Sequence, residues 1–163
     1  MKKLPLSLVT RAFSLVEVVL ALGLVSFCLL AVMGLLPMGL KSVKNAGEEA
    51  AATNALNQMG AAIRNATSED GVAYAANGSF SQLAWRLDGA SQTFSDIPIG
   101  LSGQQDSVNG RFKAHVEIIS PASASAPGHA RVTVAWPAGA TWTSAGWTKA
   151  EGSVSSGLIF LPR

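Results

Sequence analysis

Glu17 is the one charged side chain in an apolar run from Phe13 to Leu36, where Ser14, Ser26 and Cys28 are the only other polar or soft groups. A lone carboxylate in such surroundings costs on the order of a few kcal/mol unless it is neutralised or paired. The chemistry it offers is electrostatic, because it calls for a cation at its own depth. Elsewhere the reactive residues are sparse. His115 and His129 are the two histidines, and neither has metal-ligand spacing to Cys, Asp or the other His. Asp88, Asp96 and Asp106 are spread along loop sequence and form a calcium site only if the fold converges them. Glu48 and Glu49 fall on a helical stretch and are expected to be exposed. No Gly-rich phosphate loop with its Lys and no nucleophile elbow is present. The expectation is a protein without enzyme activity, cofactor or metal, one that is itself the substrate of an enzyme.

The apolar run must be a helix in a membrane. At about 1.5 Å of rise per residue it is long enough to cross a hydrocarbon core of roughly 30 Å. Lys2, Lys3 and Arg11 precede it and favour a cytoplasmic N-terminus, with the rest of the chain outside. A secretory signal has a shorter apolar segment and no acid near its start, so that reading fits poorly. An uncleaved anchor fits the length and leaves Glu17 unexplained.

The stretch Arg11-Ala12-Phe13-Ser14-Leu15-Val16-Glu17 resembles the type III signal of type IV pilins and type II secretion pseudopilins. In that family a membrane aspartic protease cuts before a Phe, methylates the new terminal amine and leaves Glu at the fifth mature position. The resemblance therefore implies a cut between Ala12 and Phe13, N-methylation of Phe13, and an assembly role for Glu17. Ala12 stands where the family usually has Gly. A terminal amine and a carboxylate at similar depth neutralise one another between neighbouring subunits, and such a pair sets register more than it adds stability. The implied partners are a prepilin peptidase, other pilin or pseudopilin subunits, an inner-membrane assembly platform and membrane lipid. A finer likeness, to I-like minor pseudopilins and Verru_Chthon cassette proteins, rests on the anchor, Trp136-Pro137 and Phe160-Leu161-Pro162-Arg163.

Beyond Pro37, which is expected to end or kink the membrane segment, helix-favouring residues continue. Val43, Ala46 and Ala50, then Ala52, Leu56, Met59 and Ile63, recur at three- and four-residue steps. Gly47 and Gly60 are expected weak points of about 1 kcal/mol each. From Asn65 the chain becomes rich in Gly, Ser, Asn and Asp, which reads as a connection holding one short strand. Asn65-Ala66-Thr67 and Asn77-Gly78-Ser79 match the glycosylation sequon and are read as turns.

Strand signals follow. Phe112, Ala114, Val116 and Ile118 alternate with Lys113, His115 and Glu117, and Val132, Val134 and Trp136 with Arg131, Thr133 and Ala135. Pro121 to Gly128 joins them, and Ser153 to Leu161 supplies a third strand. The predicted fold class is α+β: residues 1–12 leader, 13–36 membrane helix, 37–64 its amphipathic continuation, 65–110 connecting region, and 111–163 a small antiparallel sheet packed on the back half of the helix. The family resemblance implies the same pilin-like layout.

Trp136, Trp142 and Trp147 cluster among Pro137, Gly139 and Gly146, either covering the end of the core or forming an aromatic partner contact. The net charge of +2 belongs to the leader: without Lys2, Lys3 and Arg11, nine basic residues face ten acidic ones, giving −1. That balance offers no basic face for nucleic acid. Cys28, the single cysteine, makes no internal disulfide, so the body folds without one. The functional expectation is a minor pilin or pseudopilin of a type II secretion pseudopilus or type IV pilus, located in a bacterial inner membrane with its C-terminal domain outside. The alternative is an uncleaved membrane-anchored binding domain with a Trp-rich contact loop.

Overall fold

The computed structural model describes residues 14–68, 73–76 and 78–162. Its first element is the helix α1, Leu15–Arg64, which starts where the carbonyl of Ser14 accepts the N–H groups of Glu17 (3.0 Å) and Val18 (3.2 Å). Helical structure continues through Pro37, Gly47 and Gly60, so none of these positions ends it. The chain divides into two compact units after Val43.

In the first unit every described side chain is exposed, including Leu20, Leu24, Phe27, Leu30 and Met33. A helix that is apolar all round belongs in lipid or among other helices. This one is long and apolar enough to cross a membrane. Ser26 keeps its hydroxyl satisfied within the helix by donating to the Leu22 carbonyl at 2.8 Å.

The second unit holds the remainder of α1 and three antiparallel sheets. Ala52, Ala55, Leu56, Met59 and Ile63 are buried, while Thr53, Asn54, Asn57 and Arg64 are exposed, which makes this half amphipathic. The buried stripe is shorter than its sequence suggests, because Val43, Ala46 and Ala50 are exposed. Glu48 corrects a second expectation, since it is buried and Glu49 alone is exposed.

The main sheet has the order β4-β5-β6-β9, formed by β4 (Ser91–Ile99), β5 (Phe112–Ile119), β6 (Gly128–Trp136) and β9 (Gly152–Phe160). Strands β5, β6 and β9 lie where hydrophobic alternation predicts them, each antiparallel to its neighbour. Their inward residues Phe112, Val116, Ile118, Val132, Val134 and Leu158 share one core with Met59 and Ile63 of α1. Burying each such side chain contributes roughly 1.5–3 kcal/mol. Two glycines shape the β6–β9 ladder: Gly128 pairs with Phe160 and Gly152 with Trp136, and each aromatic ring occupies the space a Cβ would need. A second sheet, β1 (Thr67–Ser68), β2 (Ala73–Ala75) and β3 (Ala84–Arg86), stacks Tyr74 on Trp85 and sets Trp85 edge-on to Phe160 at 5.1 Å. The hairpin β7 (Thr141–Thr143) and β8 (Gly146–Thr148) forms the third sheet.

The stretch 65–110 is therefore not a connection with one short strand: it contributes β1, β2, β3 and a nine-residue strand of the main sheet. Strand β4 escapes detection because the ladder jumps from Phe94↔Val116 to Ile97↔Ala114, a bulge that breaks the two-residue alternation. Asp96 in the bulge has φ of +56°, and Pro98 gives the strand no amide hydrogen, which only an edge strand tolerates. The opposite edge, β9, keeps an unbroken register from Gly152 to Phe160.

Candidate functional site

Of the residues expected to be processed and assembled, Ala12 and Phe13 lie outside the described residues. Glu17 is exposed in the first turn of α1 and is the only charged side chain from Ser14 to Leu40. It stands three residues after Ser14, and free N–H groups at a helix start favour a negative charge there. Among the described residues the turn holds no counter-cation for it.

The three tryptophans separate. Trp136 is a core residue of β6, edge-on to Phe112 at a centroid distance of 6.5 Å, so of the two readings open for the cluster it takes the core one and not the partner contact. Trp142 and Trp147 sit on the β7–β8 hairpin, half-buried and edge-on to one another at 5.2 Å.

Beneath the hairpin lies a group that the sequence does not announce. His115 was expected on the polar, solvent-facing side of β5, yet it is 1% exposed because the hairpin covers that side. Its ring stacks on Trp142 at 3.8 Å with 16° between planes. Nδ1 lies 3.0 Å from the Ser95 hydroxyl and Nε2 lies 3.3 Å from the Glu117 carboxylate. An ionised carboxylate only accepts, so Nε2 carries a hydrogen and, in the neutral ring, Nδ1 accepts from Ser95. Asp96, beside Ser95, accepts from the Trp142 amide at 3.4 Å, and its own carbonyl accepts from Lys113 at 3.4 Å. The bulge in β4 brings Ser95 and Asp96 together opposite His115. The only local signal for this group is the polar set Lys113, His115 and Glu117 on β5. What covers it, Trp142, lies 27 positions further on.

A second polar contact joins α1 to the start of β5. Glu48 Oε1 accepts from Arg111 at 3.2 Å and lies 3.8 Å from Lys44 Nζ, one helical turn earlier. The three aspartates do not converge. Asp88 accepts from the Ala90 amide at 2.9 Å, Asp96 holds the hairpin, and Asp106 accepts from the amides of Val108 and Asn109. Those amides, Asn109 foremost, hold the Asp106 carboxyl below its usual range. Among the described residues no group of three His, Cys, Asp or Glu is placed to hold a metal ion. The uncovered part of the outer sheet face is a shallow groove lined by Glu117, Ile119, His129, Arg131 and Ile159.

No family model matches the chain, and comparison with curated proteins and with solved structures finds no match.

Proposed function

We propose that this chain is a minor pilin or pseudopilin subunit, cut between Ala12 and Phe13 by a prepilin peptidase, methylated at Phe13, and assembled through α1 into a type II secretion pseudopilus or type IV pilus. The observation that carries the reading is Glu17, in the first turn of α1 and the one charged residue of its exposed apolar part, Leu15 to Leu40. A carboxylate in that position needs a cation, and the amine of a neighbouring subunit's Phe13 would be one. The Arg11 to Glu17 motif supports the same assignment. On this reading the subunit starts as a single-pass protein of the bacterial inner membrane with a cytoplasmic N-terminus. It works with the assembly platform and the other subunits, and its sheet domain lies outside.

The test is the intact mass and N-terminal residue of the protein from native membranes, with and without the peptidase. A methylated Phe13 terminus that requires the peptidase is expected, with Glu17→Ala then processed but not incorporated into filaments. A chain beginning at Met1 in both strains overturns the reading. It would select the second one, an uncleaved anchored binding domain, which is favoured by the half-exposure of Trp142 and Trp147 on an outlying hairpin.

A further inference from the structure

The β7–β8 hairpin is attached to the sheet by little. It has three residues in each strand, and from Thr141 to Thr148 none of its side chains is buried. An isolated hairpin of this size is marginal in water. Its ring and hydrogen-bond contacts with the main sheet include the Trp142–His115 stack and the Trp142 amide on Asp96, a contact of 3.4 Å at the weak end of hydrogen-bond geometry. The Trp147 indole N–H is shielded without a partner among the described residues.

The hairpin's own bonds are independent of the sheet. The Thr141 and Thr148 hydroxyls are 2.8 Å apart, and Thr143 donates to the Gly146 carbonyl at 2.8 Å. At its base the Glu151 amide donates to the Trp136 carbonyl at 2.7 Å, next to Lys149 with φ of +57°, and the Ala140 amide donates to Pro137 at 2.9 Å. Lifting the hairpin breaks its contacts with the sheet and leaves both its ladder and its base intact.

We propose that β7–β8 is a flap that opens as a unit about this base and uncovers His115 with its Ser95 and Glu117 partners. Opening adds the His115 position, buried when closed, to the groove beside Glu117 and Arg131. The flap thus sets how much of the outer sheet face is available. The proposal does not depend on whether the leader is cut.

The two histidines supply the experiment, because His129 is exposed and serves as the internal reference. The full-length protein in detergent micelles is treated with diethylpyrocarbonate at neutral pH, and acylation of each histidine is followed by peptide mass spectrometry. Local opening predicts that His115 reacts about 10- to 1000-fold more slowly than His129. The slowing is expected to be independent of low urea concentrations and to match the hydrogen-exchange protection of the Trp142 amide, which opening releases from Asp96. Trp142→Ala is expected to bring His115 to within about tenfold of His129, with the β5 and β6 amides still protected. Acylation of His115 that rises with urea in step with β5 and β6 exchange in the unaltered protein would mean exposure only by global unfolding, and would overturn the flap. Equal rates for the two histidines would overturn it from the other side.

Discussion

Arg111 Nη2 lies 3.2 Å from Glu48 Oε1, joining the residue before β5 to the buried side of α1 across 63 positions of sequence. The pair is asymmetric: the Glu48 side chain is 11% exposed and that of Arg111 is 53% exposed. Removing the arginine leaves a shielded carboxylate with only Lys44 nearby, whereas removing the glutamate leaves an arginine that water can solvate. Arg111→Met is therefore expected to destabilise more than Glu48→Gln, and the Glu48→Met/Arg111→Met double variant less than the sum of its parts. Solvent at Arg111 keeps the coupling to about 1 kcal/mol, read from urea midpoints in a double-mutant cycle.

The Gly128–Phe160 and Gly152–Trp136 pairs predict steric intolerance at two glycines whose substitution looks harmless in sequence. Gly128→Ala drives a methyl into the Phe160 ring, and Gly152→Ala drives one into the Trp136 indole. Each is expected to cost about 1–3 kcal/mol in thermal or urea unfolding. Adding Phe160→Leu to Gly128→Ala is expected to recover part of the loss, whereas Gly139→Ala, which meets open space, is expected to be near neutral.

The stack of His115 on Trp142 orders the losses expected from two substitutions. His115→Ala opens a hole beneath Trp142 and is expected to cost about 2–3 kcal/mol. Trp142→Phe keeps an aromatic face on the imidazole and is expected to cost about 1 kcal/mol. Urea midpoints of the two variants give the order, and equal losses would mean that the stack contributes little.

Asp106 gives a pH dependence with a definite sign. Its folded carboxyl is held low by the Asn109 and Val108 amides. A group whose pKa falls on folding stabilises above its unfolded value, near 3.9, and that stabilisation is lost as pH drops through the folded value. Carboxyl chemical shifts are expected to show Asp106 titrating below an aspartate in a short peptide. Asp106→Ala is expected to remove this step from the acid side of the stability profile.

What the sequence makes legible is what repeats locally. The apolar helix follows from an unbroken run of apolar residues, and the stripe from Ala52 to Ile63 and strands β5, β6 and β9 from periods of 3.6 or 2. Strand β4 does not, because Asp96 and Pro98 disturb its alternation where the edge position permits it. Burial of His115 depends on a hairpin far along the chain, and its neighbours Lys113 and Glu117 give a polar pattern whether or not that hairpin lies over them. Glu48 lies four residues before Ala52 on the buried stripe of α1, where Glu49 does not, but the partner that makes a carboxylate tolerable there, Arg111, comes from another element. Trp136 belongs to β6 by its alternation with Ala135, while its nearness in sequence to Trp142 and Trp147 suggests a cluster that the fold divides.

The two margins of the main sheet differ in what they permit. Along β4 the bulge at Ser95 and Asp96, the missing amide hydrogen of Pro98 and the bridge from Ile99 to Gln105 interrupt any straight run of donors and acceptors. Along β9 the nine residues from Gly152 to Phe160 hold one register, with neither a charged side chain nor a proline. The order β4-β5-β6-β9 therefore runs from an interrupted margin to a regular one.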